Sequence, residues 1–262
     1  MTTLAQPRQL LLDPRRRAAF GSLLLNEARL TWRRPVVLVT GLAIPVGLLI
    51  LFGELPSFRQ TPPGLGGLTL FDVYVPVLLV FGLAMLALLG LPMPLASYRE
   101  LGVLRRLSTT PVPPSWLLAA EATVQMTAAV IEVAAIIIVS IVAFGAPAPK
   151  STGGIVVASA LAIAAMVPVG LLIAALASTA NAASVIGRLA FFPLMFFAGL
   201  WLPRALMPHV LHDIANYTPL GAAAQAIQDS MLTGFPPVTP LLTLAAYAVV
   251  FAVVAARLFR WE

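Results

Sequence analysis

This 262-residue sequence predicts an all-α integral membrane protein with six transmembrane helices. Three observations predict it: bilayer composition, uncharged runs of spanning length, and an uneven distribution of arginine. Hydrophobic residues make up 60% of the chain, charged residues only 10%, and the mean hydropathy is +0.97. A water-soluble domain carries about 25% charged residues to cover its surface. An ordinary soluble enzyme and a nucleic-acid-binding module are therefore excluded, and no nucleic-acid partner is expected. The pI of 10.7 comes from fifteen Arg and one Lys placed around apolar runs, a pattern that suits anionic lipid headgroups. The chain has no Cys, which rules out disulfides, thiolate nucleophiles and Cys-based metal centres.

A hydrocarbon core about 30 Å thick takes about 20 mostly apolar residues per helix. The first span is 35–53, following Arg33 and Arg34 and bent by Pro45. The second is 73–95, expected to end at Pro92 and Pro94 because neither has an amide hydrogen. The third is 116–144, which holds Glu121 and Glu132. Between Ser151 and Pro203 the only charge is Arg188, and the stretch divides into spans 155–177 and 184–202 hinged near Ser178 to Ala183. The sixth is 241–256, closed by Arg257 and Arg260. The chain thus reads as an N-terminal arm with an interfacial helix, 1–34, and a transmembrane domain, 35–262. The first apolar run has no small-residue cleavage site after it, so no signal peptide is expected. With both termini in the cytoplasm, thirteen of the sixteen basic residues lie on that side and only Arg59, Lys150 and Arg204 on the other, as the positive-inside rule requires. Richness in Ala, Pro and Arg with almost no Lys suggests a bacterial source and the plasma membrane.

Before the first span, Phe20, Leu24, Ala28 and Trp32 recur every four residues, with Asn26, Arg29 and Arg33 opposite. This is the pattern of a helix lying in the interface and contacting membrane lipid. A simple anchor explains it as well as a further role does. Glu27 interrupts the apolar side and is expected to pair with a nearby cation.

Between spans two and three runs Tyr98-Arg99-Glu100-Leu101-Gly102-Val103-Leu104-Arg105-Arg106-Leu107-Ser108-Thr109-Thr110-Pro111. Leu101, Leu104 and Leu107 fall at three-residue spacing with charges around them, the pattern of a compact amphipathic cap. Further on come Phe197-Ala198-Gly199-Leu200-Trp201-Leu202-Pro203, Met207-Pro208 and Ile214-Ala215-Asn216-Tyr217-Thr218-Pro219-Leu220. The prolines break regular helix, yet the residues between them are too apolar for a free aqueous loop. The first stretch resembles the cytoplasmic loop of ABC-2 type ABC transporter permeases, and the second resembles that family's Gly-x-x-x-Pro, Met-Pro and Asn-x-x-Pro-Leu series. The resemblance implies the family's domain (type V exporter-like), with a cytoplasmic coupling helix and outer re-entrant helices. Arg99, Glu100, Leu101, Gly102, Leu104, Arg105, Arg106 and Leu107 would then contact a separate ATPase subunit, which binds ATP and Mg. Gly199, Pro203, Pro208, Asn216 and Pro219 would belong to an outer gate. A second permease copy, identical or related, would complete the path for a hydrophobic drug-like or lipid substrate.

Glu121 and Glu132 are costly inside a span. Eleven residues of helix, about 16 Å, return them to nearly one face with Gln125 between. That face is expected either to line a translocation path, or to be a structural one on which Glu121 snorkels and Glu132 meets a partner-subunit cation. A proton-coupled secondary transporter using both glutamates, or a membrane scaffold for an ATPase that moves no cargo, are the alternative functions. Enzymatic motifs are missing. Gly145 to Thr152 imitates a phosphate loop but lacks the Gly before Lys150 and carries prolines in its backbone. His209, His212 and Asp213 could share a helix face, but ordinary interfacial polarity accounts for them and no metal site is assigned. The expected chain is a permease subunit without catalytic residues or a cofactor of its own.

Overall fold

The computed structural model describes residues 21–22, 24–30, 39–63, 65–103 and 115–258. Among the described residues there is helix and no strand. A helical segment at 24–30 precedes α1 (Ile44–Glu54), which is entered through a π-helical turn at Val39–Ala43. Then follow α2 (Leu70–Glu100), α3 (Ser115–Phe144), α4 (Thr152–Leu176), α5 (Ala180–Ala198), two short helices α6 (His209–Tyr217) and α7 (Pro219–Leu232), and α8 (Val238–Leu258). Helices α2, α3, α4, α5 and α8 are long and apolar enough to cross a bilayer. The first expected span is described from Val39 onward and is shorter there. Phe20, Trp32, Arg33, Leu104, Arg105, Arg106 and Leu107 lie outside the described residues.

The second span differs from expectation at its prolines. Helix α2 does not stop at Pro92 and Pro94 but runs on to Glu100. The reason is a π-helical turn, Met85–Gly90, in which the Leu91 amide donates to the Leu86 carbonyl at 2.9 Å. After that five-residue step Pro92 opens a fresh α-helical segment, and both prolines sit in its first turn, where an amide hydrogen has no partner to lose. Pro92 would otherwise have donated to Ala87 in the π register or Leu88 in the α register. Those two carbonyls are met instead by glycines. A Cβ on Gly170 of α4 would sit 2.2 Å from the Ala87 oxygen, and one on Gly187 of α5 would sit 2.2 Å from the Leu88 oxygen. Only a glycine Cα hydrogen fits there, and it faces an oxygen without its helical donor.

This junction makes α2 the hub. Of its most apolar 18 residues 83% are buried, against 17% for α8, because α1, α3, α4, α5 and α7 all pack on it. Leu78, Leu79, Leu88, Leu91 and Leu95 are fully enclosed. Helix α8 leans on α4 and α7 and presents Leu242, Val249, Val250 and Val253 outward, as a lipid-facing helix does.

Candidate functional site

Among the described residues, three groups of polar side chains in the apolar bundle are candidates for function. The first is at the end of α2. Consecutive helix positions are about 100° apart, so Tyr98, Arg99 and Glu100 point to three different neighbours. The Tyr98 hydroxyl donates to the buried Glu27 carboxylate at 3.0 and 3.2 Å, tying in the segment 24–30. Glu27 was expected to meet a cation; this hydroxyl is its described partner. Arg99 Nη1 donates to the carbonyls of Ala174, Ala175 and Ala177 at 3.0, 2.9 and 3.3 Å. These belong to the last turn of α4 and the residue after it, where unpaired carbonyls attract a cation. Glu100 accepts from the Ala180 amide at 3.0 Å, and Thr179 Oγ1 accepts from Ala182 at 3.1 Å, so two of the orphan donors opening α5 are satisfied. Gly102, at φ +67°, then turns the chain in the left-handed region and its amide closes on the Arg99 carbonyl. Leu101 is 70% exposed at this corner. Leu24 of the segment 24–30 is half-buried and Arg29 is exposed.

The second group lies on α3. Met126, Val130, Ile131, Ile138 and Val142 point outward, while Glu121, Gln125 and Glu132 are all buried on the inward face. Gln125 Nε2 donates to Glu121 Oε1 at 3.2 Å. Glu132 packs on Gly82 of α2, and a Cβ there would collide with its carboxylate. Neither Glu132 oxygen has a hydrogen-bond partner among the described residues. The three residues thus share one face, as their spacing predicts, but within one chain that face is closed by α2. A route along it requires α2 and α3 to part.

The third group caps the opposite end of the bundle. Helix α5 ends at Gly199, φ +98°, whose amide reaches the Phe196 carbonyl. Pro203 opens the short turn Arg204–Leu206, Pro208 precedes α6, and Pro219 is the first residue of α7, each at a position that needs no amide hydrogen. Within this stretch Arg204 is only 6% exposed, and its side chain lies beside Gly199. Its guanidinium donates to Phe197 O at 3.3 Å, to Gly221 O at 2.9 Å and to Asn216 Oδ1, so one side chain joins α5, α6 and α7. Burial pushes the Arg204 guanidinium down to about 10, with the Asp229 charge acting the other way, so it stays protonated at neutral pH. Sequence reasoning placed Gly199, Pro203, Pro208, Asn216 and Pro219 together but missed Arg204, whose hydrogen bonds join the three helices around them. Its one signal was a lone arginine between two prolines in an apolar stretch.

The segment imitating a phosphate loop has a structural use. Ser151 Oγ accepts from Gly154 N at 3.0 Å as the cap of α4, and the Lys150 and Ser151 amides donate to Met231 and Ser230 of α7 at 3.2 and 3.0 Å.

A helical bundle whose described residues include five helices long and apolar enough to cross a bilayer is the architecture of an all-α integral membrane protein. Residues 18–232 match the family described as ABC-2 type transporter, and the chain belongs to that family. It is also similar to two curated proteins that carry the provisional name transport permease ycf38. The one from Porphyra purpurea is 28% identical over 204 residues, covering 75% of this chain and 68% of the relative. The one from Pyropia yezoensis is 28% identical over 201 residues, covering 74% and 67%.

Proposed function

We propose that this chain is the membrane-spanning subunit of an ATP-driven exporter, and that a separate ATPase subunit docks on the loop after α2. The observation that carries this reading is the family match across residues 18–232, which takes in the stapled end of α2, the following loop and the broken-helix cap. The positive-inside distribution of Arg supports placing the Arg99 end in the cytoplasm and the Arg204 cap outside. The chain carries no phosphate-binding loop of its own, so the partner supplies ATP and Mg binding. Leu101, exposed beside the Gly102 turn, would belong to the docking surface, and Leu104, Arg105, Arg106 and Leu107, which follow it in sequence outside the described residues, are assigned to the same loop by the family resemblance. Two permease copies, identical or related, would surround one path in a bacterial plasma membrane. Short loops favour a hydrophobic drug-like or lipid cargo. Closure of the ATPase pair would shift the permease between two populations, one open at each side.

Co-purification from native membranes tests the reading. A tagged chain is expected to bring down an ATPase in stoichiometric amount, and vesicles holding that complex to move a fluorescent lipid or hydrophobic dye only with ATP. Transport driven by a pH gradient without any ATPase would overturn it.

A further inference from the structure

We infer that Arg99 and Glu100 are positioning residues that deliver motion of the docking loop to the α4–α5 hairpin, and through it to the Arg204 cap. The inference rests on the proposed ATPase-driven reading and adds a route for the force. A loop joined to α2 and α3 would push on those two helices alone if nothing else were attached. Arg99 binds three carbonyls at the end of α4, and Glu100 binds the first amide of α5, so both strands of the 177–179 turn are clamped to α2 at one level. The clamp is polar while the packing around it is small: Ala96 of α2 lies fully buried against Ala177 and Ala183. Small side chains let helices slide, but four charge-assisted hydrogen bonds resist separation. Farther along, in the last turn of α5, Arg204 holds the Phe197 carbonyl together with that of Gly221 of α7. A displacement of the α2 end would then be carried along α5, which continues as helix through Pro193, to the cap.

The absence of Cys gives a clean background for reporters. One single-cysteine chain carries Leu101→Cys at the α2 end, the other Asn181→Cys at the exposed start of α5. Each is assembled with its ATPase in vesicles and labelled with a membrane-impermeant maleimide, without nucleotide and with trapped ATP. In the parent background nucleotide is expected to change labelling at both positions by about fivefold. With Arg99→Ala added, the change at Leu101→Cys is expected to persist and that at Asn181→Cys to vanish. Arg99→Lys, which keeps three donors on one nitrogen, should restore most of it. An undiminished response at Asn181→Cys in the Arg99→Ala chain overturns the inference. Should Arg99→Ala fail to assemble, Glu100→Ala carries the same comparison, since that carboxylate is exposed and makes one described bond. A parent complex in which neither position responds refutes the ATPase-driven reading itself, a result distinct from a response confined to α2.

Discussion

Glu132 and Arg204 are both charged-type residues buried in an apolar bundle, and they are handled in opposite ways. Arg204 is given three acceptors, two of them backbone carbonyls at helix ends. Removing it leaves those acceptors unpaired. Hydrogen bonds to charged groups contribute about 1.5–3 kcal/mol, so Arg204→Ala is expected to lower stability by about 3 kcal/mol, read as thermal unfolding in detergent, with Arg204→Lys intermediate because a single ammonium cannot span the same fork. Glu132 is given space rather than partners: Gly82 leaves a pocket for its carboxylate. Gly82→Ala is expected to destabilise the parent chain, where the carboxylate must swing away, and to cost little in a Glu132→Ala background. The double-mutant cycle reads that coupling; equal costs in both backgrounds would show that the contact does not matter. The inward placement of Glu121, Gln125 and Glu132 was legible from their spacing on a helix. Which helix they would face was not, because the glycine that receives Glu132 lies fifty residues earlier and gives no local signal.

For the helices, existence and order follow from the length of apolar runs, a property of the chain that needs no partner. Ends do not. Pro92 and Pro94 looked like a stop, and a π-helical turn carries α2 past them. That turn persists because Gly170 and Gly187 approach the carbonyls left without donors. Gly170→Ala and Gly187→Ala each place a Cβ against backbone oxygen, which cannot move aside as a side chain can. Overpacking of this kind costs about 1–3 kcal/mol. Both substitutions are expected to lower the melting temperature of the purified chain, whereas Gly153→Ala, with open space around it, should not. The cap follows the same logic. Its prolines announce broken helix in the sequence, and the lengths of α6 and α7 are set by capping at Thr218 and by Arg204.

Taken as one body, the molecule has two polar ends joined by rods that are apolar between them. Helix α2 sits in the centre and α8 at the edge, so substitutions to Asp should be far more damaging at Leu79 than at Leu258. The Arg99 end and the Arg204 cap are predicted to face opposite compartments. A Cys introduced at His209 should react with an impermeant maleimide on intact cells, and one at Ser178 only after the membrane is opened; both are exposed in the chain. The reverse pattern would put the docking loop outside the cell and overturn the ATPase-driven reading.

Composition and pattern sufficed for the membrane class, the apolar helices and the family, because each depends on short-range counts: hydropathy over twenty residues, arginines beside a span, motifs a few residues long. Folding alone assigned Arg99 to the end of α4, Glu100 to the start of α5, Arg204 to the cap and Gly82 to Glu132. The Arg99, Glu100 and Gly82 pairings join residues far apart in the chain, while those of Arg204 depend on how α5, α6 and α7 fold back on one another; in each case the groups that meet do so only once the helices have packed.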